Sequence, residues 1–474
     1  MKSSDSLQNE LNLLEKLDRQ PTSQFYWSLT LLATIGGFLF GYDTANIGSA
    51  LNFLPYHLSP LAVGYLVAGA SLGAAVGAIL AGRVTDRMGR KSLLVFDAGL
   101  YAVGALLSAF AFNLAILLIA RTLIGLAIGA DSAIATAYIA EYAPKDKRGK
   151  LGILQQWMIT VGILMAYVVA VIVLTLWPQL AGSIDWRLLL GLGAVPAIIG
   201  FLMRVRMPES PRWLIDHGQF NKLKKILQML GIEVSDADIL TLAQNNNKIS
   251  SKSSPRTKNS GVTKALVIAS VFMIFQQITG INIPMYYGPK ILKSFFASGS
   301  QNLVTSSIHS VEATAILALV FVLAQYLAFR HIDQYGRKRL AALGYGGMAL
   351  FMLIAGIGLM TLQGLGRGIV ILVAFSGFIT FFAWGVGGTG WLIQGEYFPT
   401  EVRGRMAATV ATVDWLANFV LIEVFPLWQK GVGLAWVMIS FAVLSLLAVW
   451  FVARFVPETK GLSVEEIAQV FNRT

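Results

Sequence analysis

The sequence predicts an all-α membrane protein: twelve transmembrane helices in two parallel-repeat six-helix bundles, with short helices outside the bilayer. Three observations predict it. Hydrophobic residues make up 55% of the chain and charged residues 13%, against roughly 25% charged in soluble domains, so too little polar surface exists to cover a globule. The apolar residues fall into about twelve runs near the ~20-residue length that a helix needs to cross a bilayer. Between those runs the polar segments repeat. Asp86-Arg87-Met88-Gly89-Arg90-Lys91 returns as Asp333-Gln334-Tyr335-Gly336-Arg337-Lys338, an offset of 333 − 86 = 247. Glu141-Tyr142-Ala143-Pro144 with Arg148-Gly149 returns as Glu396-Tyr397-Phe398-Pro399 with Arg403-Gly404, an offset of 396 − 141 = 255. Pro208-Glu209-Ser210 returns as Pro457-Glu458-Thr459, an offset of 457 − 208 = 249. Three cassettes in one order at one spacing are a duplicated unit. Because each cassette is basic, both copies belong on one side of the membrane, which makes the repeat parallel.

Taken in order, residues 1–25 form an N-terminal cytoplasmic or interfacial segment, in which Leu7, Leu11 and Leu14 recur at helical spacing among charges. No cleavable signal pattern precedes the first span. The N-terminal bundle, 26–206, contains spans at 26–50, 60–82, 92–113, 115–140, 150–177 and 187–206. A cytoplasmic linker, 207–262, follows. In it 219–230 reads as a helix with Leu223, Ile226, Leu227 and Leu230 on one face, and 245–261 reads as a Ser/Asn/Lys linker. The C-terminal bundle, 263–456, contains spans at 263–290, 302–329, 339–362, 367–397, 405–428 and 433–456. Residues 457–474 form a C-terminal cytoplasmic helix started by the capping box Ser463-Val464-Glu465-Glu466. Lys and Arg crowd alternate loops, which places the chain in the cell membrane with both termini cytoplasmic.

Composition also excludes chemistry. With no cysteine and four singly scattered histidines (His57, His217, His309, His331), no metal or thiolate site is expected. The net charge of +12 sits in orienting loops, so no nucleic-acid partner is expected. No nucleophile–base pair or phosphate loop appears, and the chain is read as neither an enzyme nor a cofactor protein. Gly69, Gly73 and Gly77 in span 2, and Gly125 and Gly129 in span 4, are four apart on one face and read as packing seams.

At this point the motifs resemble a known family. Gly82-Arg83-Val84-Thr85-Asp86-Arg87-Met88-Gly89-Arg90-Lys91 is similar to the signature loop of the major facilitator superfamily. Pro208-Glu209-Ser210-Pro211-Arg212-Trp213-Leu214 and Pro457-Glu458-Thr459-Lys460-Gly461 resemble the sugar porter family within it, as does Gln276-Gln277-Ile278-Thr279-Gly280-Ile281-Asn282 followed by Tyr286-Tyr287. The resemblance implies the major facilitator fold and transport of a neutral monosaccharide, hexose or pentose. A sugar presents a ring of hydroxyls, each donor and acceptor, so its site needs amide side chains and aromatic faces. Gln156, Gln276, Gln277 and Asn282 supply the amides, each inside an otherwise apolar span where an unpartnered amide is costly. Trp391 and Trp415 are the expected walls, and Tyr286 and Tyr287 are expected to close over the sugar.

Two departures stand out. Gly387-Gly388-Thr389-Gly390-Trp391 replaces the family's Gly-Pro-x-Pro-Trp, keeping a helix break without fixing its angle. Asp414 stands where relatives carry an amide. It can accept two sugar hydroxyls, and being costly when ionised at membrane depth it is a second proton-site candidate. The resemblance also implies coupling: Asp43 in span 1 as the proton site and Arg121 in span 4 as its switch, since facilitative relatives lack a charge at the Asp43 position. Asp131 leaves open an anionic substrate, but Arg121 is the only basic residue read at mid-membrane depth. Asp86, Arg90, Glu141 and Arg148, repeated as Asp333, Arg337, Glu396 and Arg403, are expected to form breakable ion-pair links between helix ends. The expected partners are the sugar, a proton and the bilayer, with the chain acting as a monomer. A facilitative uniporter remains the alternative of the same class. A membrane sugar sensor is the alternative of another class, though only 474 − 456 = 18 residues follow the last span.

Overall fold

The first expected span is interrupted. Helices α1 (Gln24–Ala33) and α2 (Ile35–Ala50) meet at Thr34, whose hydroxyl donates to the Leu31 carbonyl at 2.9 Å. The computed structural model describes residues 24–142, 148–180, 184–230, 232, 234, 260–296, 303–398, 400–460, 467 and 470–471. The expectations for Leu7, Leu11 and Leu14, for the linker stretch 245–259, and for the Ser463 capping box fall outside these residues.

The remaining spans follow the sequence closely. They are α3 (Pro60–Met88), α4 (Arg90–Ala109), α5 (Leu114–Tyr142) and α6 (Arg148–Leu176), then α7 (Asp185–Leu192) continued by α8 (Ala194–Val205). Short helices α9 (Pro211–Asp216) and α10 (Phe220–Met229) precede the second half. That half runs α11 (Ser260–Ile278) into α12 (Asn282–Phe296), α13 (Leu303–Tyr335), α14 (Arg337–Thr361), and α15 (Gly364–Phe381) into α16 (Gly388–Glu396), then α17 (Thr400–Val432) and α18 (Leu434–Phe455). Eleven helices or joined helix pairs are long and apolar enough to cross a membrane. The α1–α2 pair covers the first expected span in pieces of 10 and 16 residues on either side of Thr34. Among the described residues every regular element is helical, as a bilayer demands of a chain whose backbone groups must bond internally.

Local chemistry explains the boundaries. Helix α3 opens on Ser59, whose hydroxyl accepts from the Ala62 amide at 3.2 Å, with Pro60 just inside the start. Helices α4 and α14 each start behind a glycine at positive φ, Gly89 at 89° and Gly336 at 82°. Helix α10 is the expected linker helix, with Leu223, Ile226 and Leu227 buried against Leu94, Tyr138, Leu214 and their neighbours on the N-terminal half.

The two halves meet through α3 against α17 and α6 against α13. One apolar cluster spans both, joining Ile47, Val63 and Tyr167 to Phe272, Ile283 and Phe425. Among the described residues, hydrogen bonds tie the halves together at three places. Tyr167 donates to the Met285 carbonyl, the Thr44 hydroxyl bonds the Tyr286 hydroxyl at 3.4 Å, and Asn418 Nδ2 donates to Ser71 Oγ at 3.0 Å. The cluster at the basic end, by contrast, belongs to the N-terminal half alone.

Candidate functional site

A chamber lies between the halves, about 1120 Å³ with the solvent at its mouth included, and α2, α5, α6, α11, α12, α13, α16 and α17 all contribute to its wall. It brings together Gln156, Gln276, Gln277, Asn282, Trp391, Asp414 and Trp415. Its position follows from two backbone interruptions. Helices α11 and α12 part at Gly280, whose φ of 94° is left-handed and where a β-carbon would stand 2.7 Å from the Phe441 ring. The break lets Gln276 and Gln277 end one helix while Asn282 starts the next, so three amides face one space. Between α15 and α16 the segment Phe382–Gly387 is a π-helical turn. The widened turn lies just before the glycine-rich stretch expected to break span 10: of that stretch only Gly387 belongs to it, while Gly388, Thr389, Gly390 and Trp391 run as regular helix.

The polar groups form a chain. Gln277 Nε2 donates to Asp414 Oδ1 at 2.8 Å, and Gln277 Oε1 accepts from Asn282 Nδ2 at 2.9 Å. Asn282 Nδ2 also reaches Asn418 Oδ1 at 2.9 Å, and Asn418 passes the chain to Ser71 across the halves. Asp414 Oδ1 accepts from Gln277 Nε2, so Asp414 sets the direction in which these amides point. Two buried polar atoms on the wall, Gln276 Oε1 and Trp415 Nε1, lack a hydrogen-bond partner. One can accept and the other can donate, which is the pair of functions a hydroxyl supplies. Trp415 is held edge-on by Phe40, ring centroids 4.9 Å apart. Among the described residues the wall carries two carboxylates, Asp131 and Asp414, and no Lys, Arg or His.

Tyr286 and Tyr287 do not line this chamber. Both are buried in the apolar plug beyond it: Tyr286 meets Thr44, and Tyr287 donates to the Ile422 carbonyl at 3.0 Å and packs on Phe425. Just behind the chamber, Arg121 donates to Asp43 and through Nε to the Leu66 carbonyl at 3.1 Å, while Thr44, the next residue along from Asp43, lines the wall. Asp43 is 3% exposed and Arg121 0%, so neither charge has water to fall back on if the other leaves.

Arg204, to which the sequence reading gave no role, is buried inside the bundle near the end of α8, where it holds Asp97 at 2.7 Å and Asp131 at 2.6 Å. Arg121 is therefore not the only cation buried in the bundle.

At the basic end the repeat is atomic. Arg90 pairs with Glu141 at 2.9 Å, and Arg337 with Glu396 at 2.9 Å. The Arg90 and Lys91 amides, the first of α4, donate to Glu209 at 2.9 and 3.2 Å. Those of Arg337 and Lys338 donate to Glu458 at 2.9 and 3.1 Å. A carboxylate thus caps each helix N-terminus, and the glycine before it leaves room, since a β-carbon on Gly89 or Gly336 would strike that carboxylate. Ser210 donates to Glu141, and Thr459 donates to Glu396 at 2.7 Å. Sequence reading missed Glu209, Ser210, Glu458 and Thr459 as members of this network, although their repetition was the available signal. The side chains of Asp86, Arg148, Asp333 and Arg403 lie outside what the structure describes.

Burial pushes the Glu141 carboxyl up, with Arg90 and the Ser210 hydroxyl pulling it back. Its folded value being raised, its contribution to stability is fully present below the unfolded-chain value and is lost as pH rises through the raised one. Glu141→Gln is expected to flatten that part of the stability profile, read by thermal melts from acidic to neutral pH; an unchanged slope would refute the assignment.

Comparison with known proteins places these features. Residues 29–471 match the family described as sugar (and other) transporter. The arabinose-proton symporter of Bacillus subtilis is 35% identical over 462 residues, 96% of each chain. The D-xylose transporter of Levilactobacillus brevis is 32% identical over 441 residues, 91% of this chain and 93% of that one. Among solved structures, the proton:xylose symporter XylE bound to 6-bromo-6-deoxy-D-glucose superposes with a TM-score of 0.77 at 28% identity, over 95% of this chain and 100% of that one. The partially occluded inward-open form of XylE from E. coli matches as well, TM-score 0.77 at 28% identity over 93% of this chain and 100% of that one. With its duplicated six-helix bundles, its amide-lined chamber and a family match running almost end to end, the chain belongs to the sugar (and other) transporter family of the major facilitator superfamily.

Proposed function

We propose that the protein carries a neutral monosaccharide across the cell membrane by alternating access, together with a proton, and that it has no catalytic role. The observation that carries this reading is the chamber wall, where amides, two tryptophans and unpartnered acceptor and donor atoms face one space without a cation. Such a wall suits hydroxyls and repels anions. In this reading Gln156, Gln276, Gln277, Asn282 and Asp414 hold the sugar and Trp391 and Trp415 stack against it, while Tyr286 and Tyr287 belong to the plug that closes the far side. Asp43 takes the proton, which competes with Arg121 for the carboxylate.

The bundles 26–206 and 263–456 rock as units, with the basic cassettes and both termini on the cytoplasmic side and one chain sufficient for transport. The cassette pairs latch the cytoplasmic ends; individually they are worth about 0–1 kcal/mol, so a few must break together and binding energy suffices to break them. The symport of arabinose or xylose by relatives supports the substrate class and leaves pentose against hexose open.

The test is uptake into proteoliposomes with a panel of radiolabelled neutral sugars and an imposed pH gradient. Accumulation above equilibrium, abolished by a protonophore, is the expected result, and Gln277→Ala should weaken sugar binding by about 10- to 100-fold, the cost of unpairing Asp414 and Asn282 (about 1–3 kcal/mol). Uptake that reaches equilibrium and ignores the gradient would make the protein a uniporter. No uptake of any neutral sugar would overturn the substrate class.

A further inference from the structure

We propose that Asp97 and Asp131 together bind one proton beside Arg204, a proton-binding site separate from Asp43 and Arg121 and open to the chamber through Asp131. Three spans and the first-span junction build it: Asp97 on α4, Asp131 on α5, Arg204 in the last turn of α8, and the backbone where α1 meets α2. Nε donates to the Leu32 carbonyl at 3.3 Å, Nη1 to the Leu94 carbonyl at 3.0 Å and Asp97 Oδ1 at 2.7 Å, and Nη2 to the Ala33 carbonyl at 3.1 Å; Nη2 also lies in ion-pair contact with Asp131 Oδ1 at 2.6 Å. Asp97 is 2% exposed, Asp131 3% and Arg204 0%.

The charges do not balance. One guanidinium faces two carboxylates, so with both ionised the cluster holds a net negative charge inside a membrane bundle, a cost of several kcal/mol that protonation removes. Arg204 and the partner acid are the charged groups acting most strongly on each carboxyl. A second observation points to the ligand. Oδ2 of Asp97 and both carboxyl oxygens of Asp131 are buried without a hydrogen-bond donor, while both acids converge on the single Arg204 guanidinium. Buried acceptors without a donor are satisfied by taking up a proton.

A metal cation fits poorly, because the three carbonyls that would help ligate it are already taken by Arg204. The proton has a way in, since Asp131 lines the chamber beside Gly36, against whose backbone its carboxylate lies in contact. The site differs from Asp43–Arg121 in stoichiometry. There one acid meets one base and a proton displaces the ion pair; here two acids meet one base and the proton completes it.

Infrared titration of the purified full-length protein tests this, using the Asp43→Asn/Asp414→Asn background to remove the acids nearest the sugar. A band from a protonated carboxylic acid should persist at neutral pH, and should shift in deuterated buffer without unfolding because Asp131 is in contact with the chamber. Adding Asp131→Asn should abolish it, and so should Asp97→Asn, since either leaves Arg204 facing one carboxylate in a neutral pair. Should one variant fail to fold, the other decides. A folded variant that keeps the band, a background protein without it, or a band that ignores deuterium would each overturn the proposal. The outcome is independent of sugar uptake, so it is not confounded with the transport reading.

Discussion

Asp43→Asn is expected to abolish uphill accumulation of sugar while leaving sugar exchange at equilibrium intact. The carboxylate is buried against Arg121, and Asp43 Oδ2 and Arg121 Nη2 are both without partners, so the pair is compensated in charge but not saturated in hydrogen bonds. Under the proposed function a proton arriving on Asp43 would free Arg121 to move, an alternation that Asn could not perform. Removing one member of a buried pair typically costs 3–5 kcal/mol because the other charge is stranded. Exchange therefore doubles as the folding control: a variant that exchanges labelled for unlabelled sugar across a liposome is folded and binds. If it still concentrates sugar against a gradient, the proton is not carried by Asp43.

The second large effect is on stability. Gly125 and Gly129 of α5 press on the backbone of Ala70 and Ala74 in α3, while Gly73 and Gly77 of α3 press on the backbone at Thr122 and Leu126 of α5. The seam is reciprocal, each helix offering its glycines to the other's main chain. A β-carbon at any of these positions meets backbone, which cannot swing aside as a side chain does. Within a membrane the helices are held by this contact rather than by expulsion of water, so wedging them apart forfeits the attraction outright. Gly129→Val should destabilise by about 3 kcal/mol or more, seen as a large drop in melting temperature or failure to purify as a monodisperse protein. Gly346→Ala on α14, where nothing stands within 4 Å of the added carbon, should melt like the parent. Equal melting of Gly129→Val and the parent would mean the seam is not tight.

How much of this was legible depends on what kind of signal each feature leaves. The spans were legible because apolar runs must match bilayer thickness, and the observed helices begin and end within a few residues of the expected ones; the Thr34 junction was not, since its helical φ and ψ give no breaker in the sequence. The meeting of Asp43 with Arg121 could be read because a charge inside an apolar run stands out against it. Arg204 escaped for the opposite reason. Two residues from Arg206, at the edge of a run, it looks like loop chemistry, and only folding brings it to Asp97, 107 positions away. That the tyrosines stand off the chamber wall was not legible either. They follow the Gly280 break, and a left-handed residue turns the next helix by an angle that spacing cannot supply. The amides on either side of that break share one cavity because both helix ends point at it, which the motif suggested and the geometry explains.

The acid-only character of the chamber has a metabolic corollary. A sugar that acquires a phosphate after entry would return to a wall that carries Asp414 and no Lys, Arg or His among its described residues, so nothing on it would compensate the phosphate charge where water is scarce. Uptake followed by phosphorylation would thus behave as a ratchet, with retention of the cargo built into the carrier's own lining.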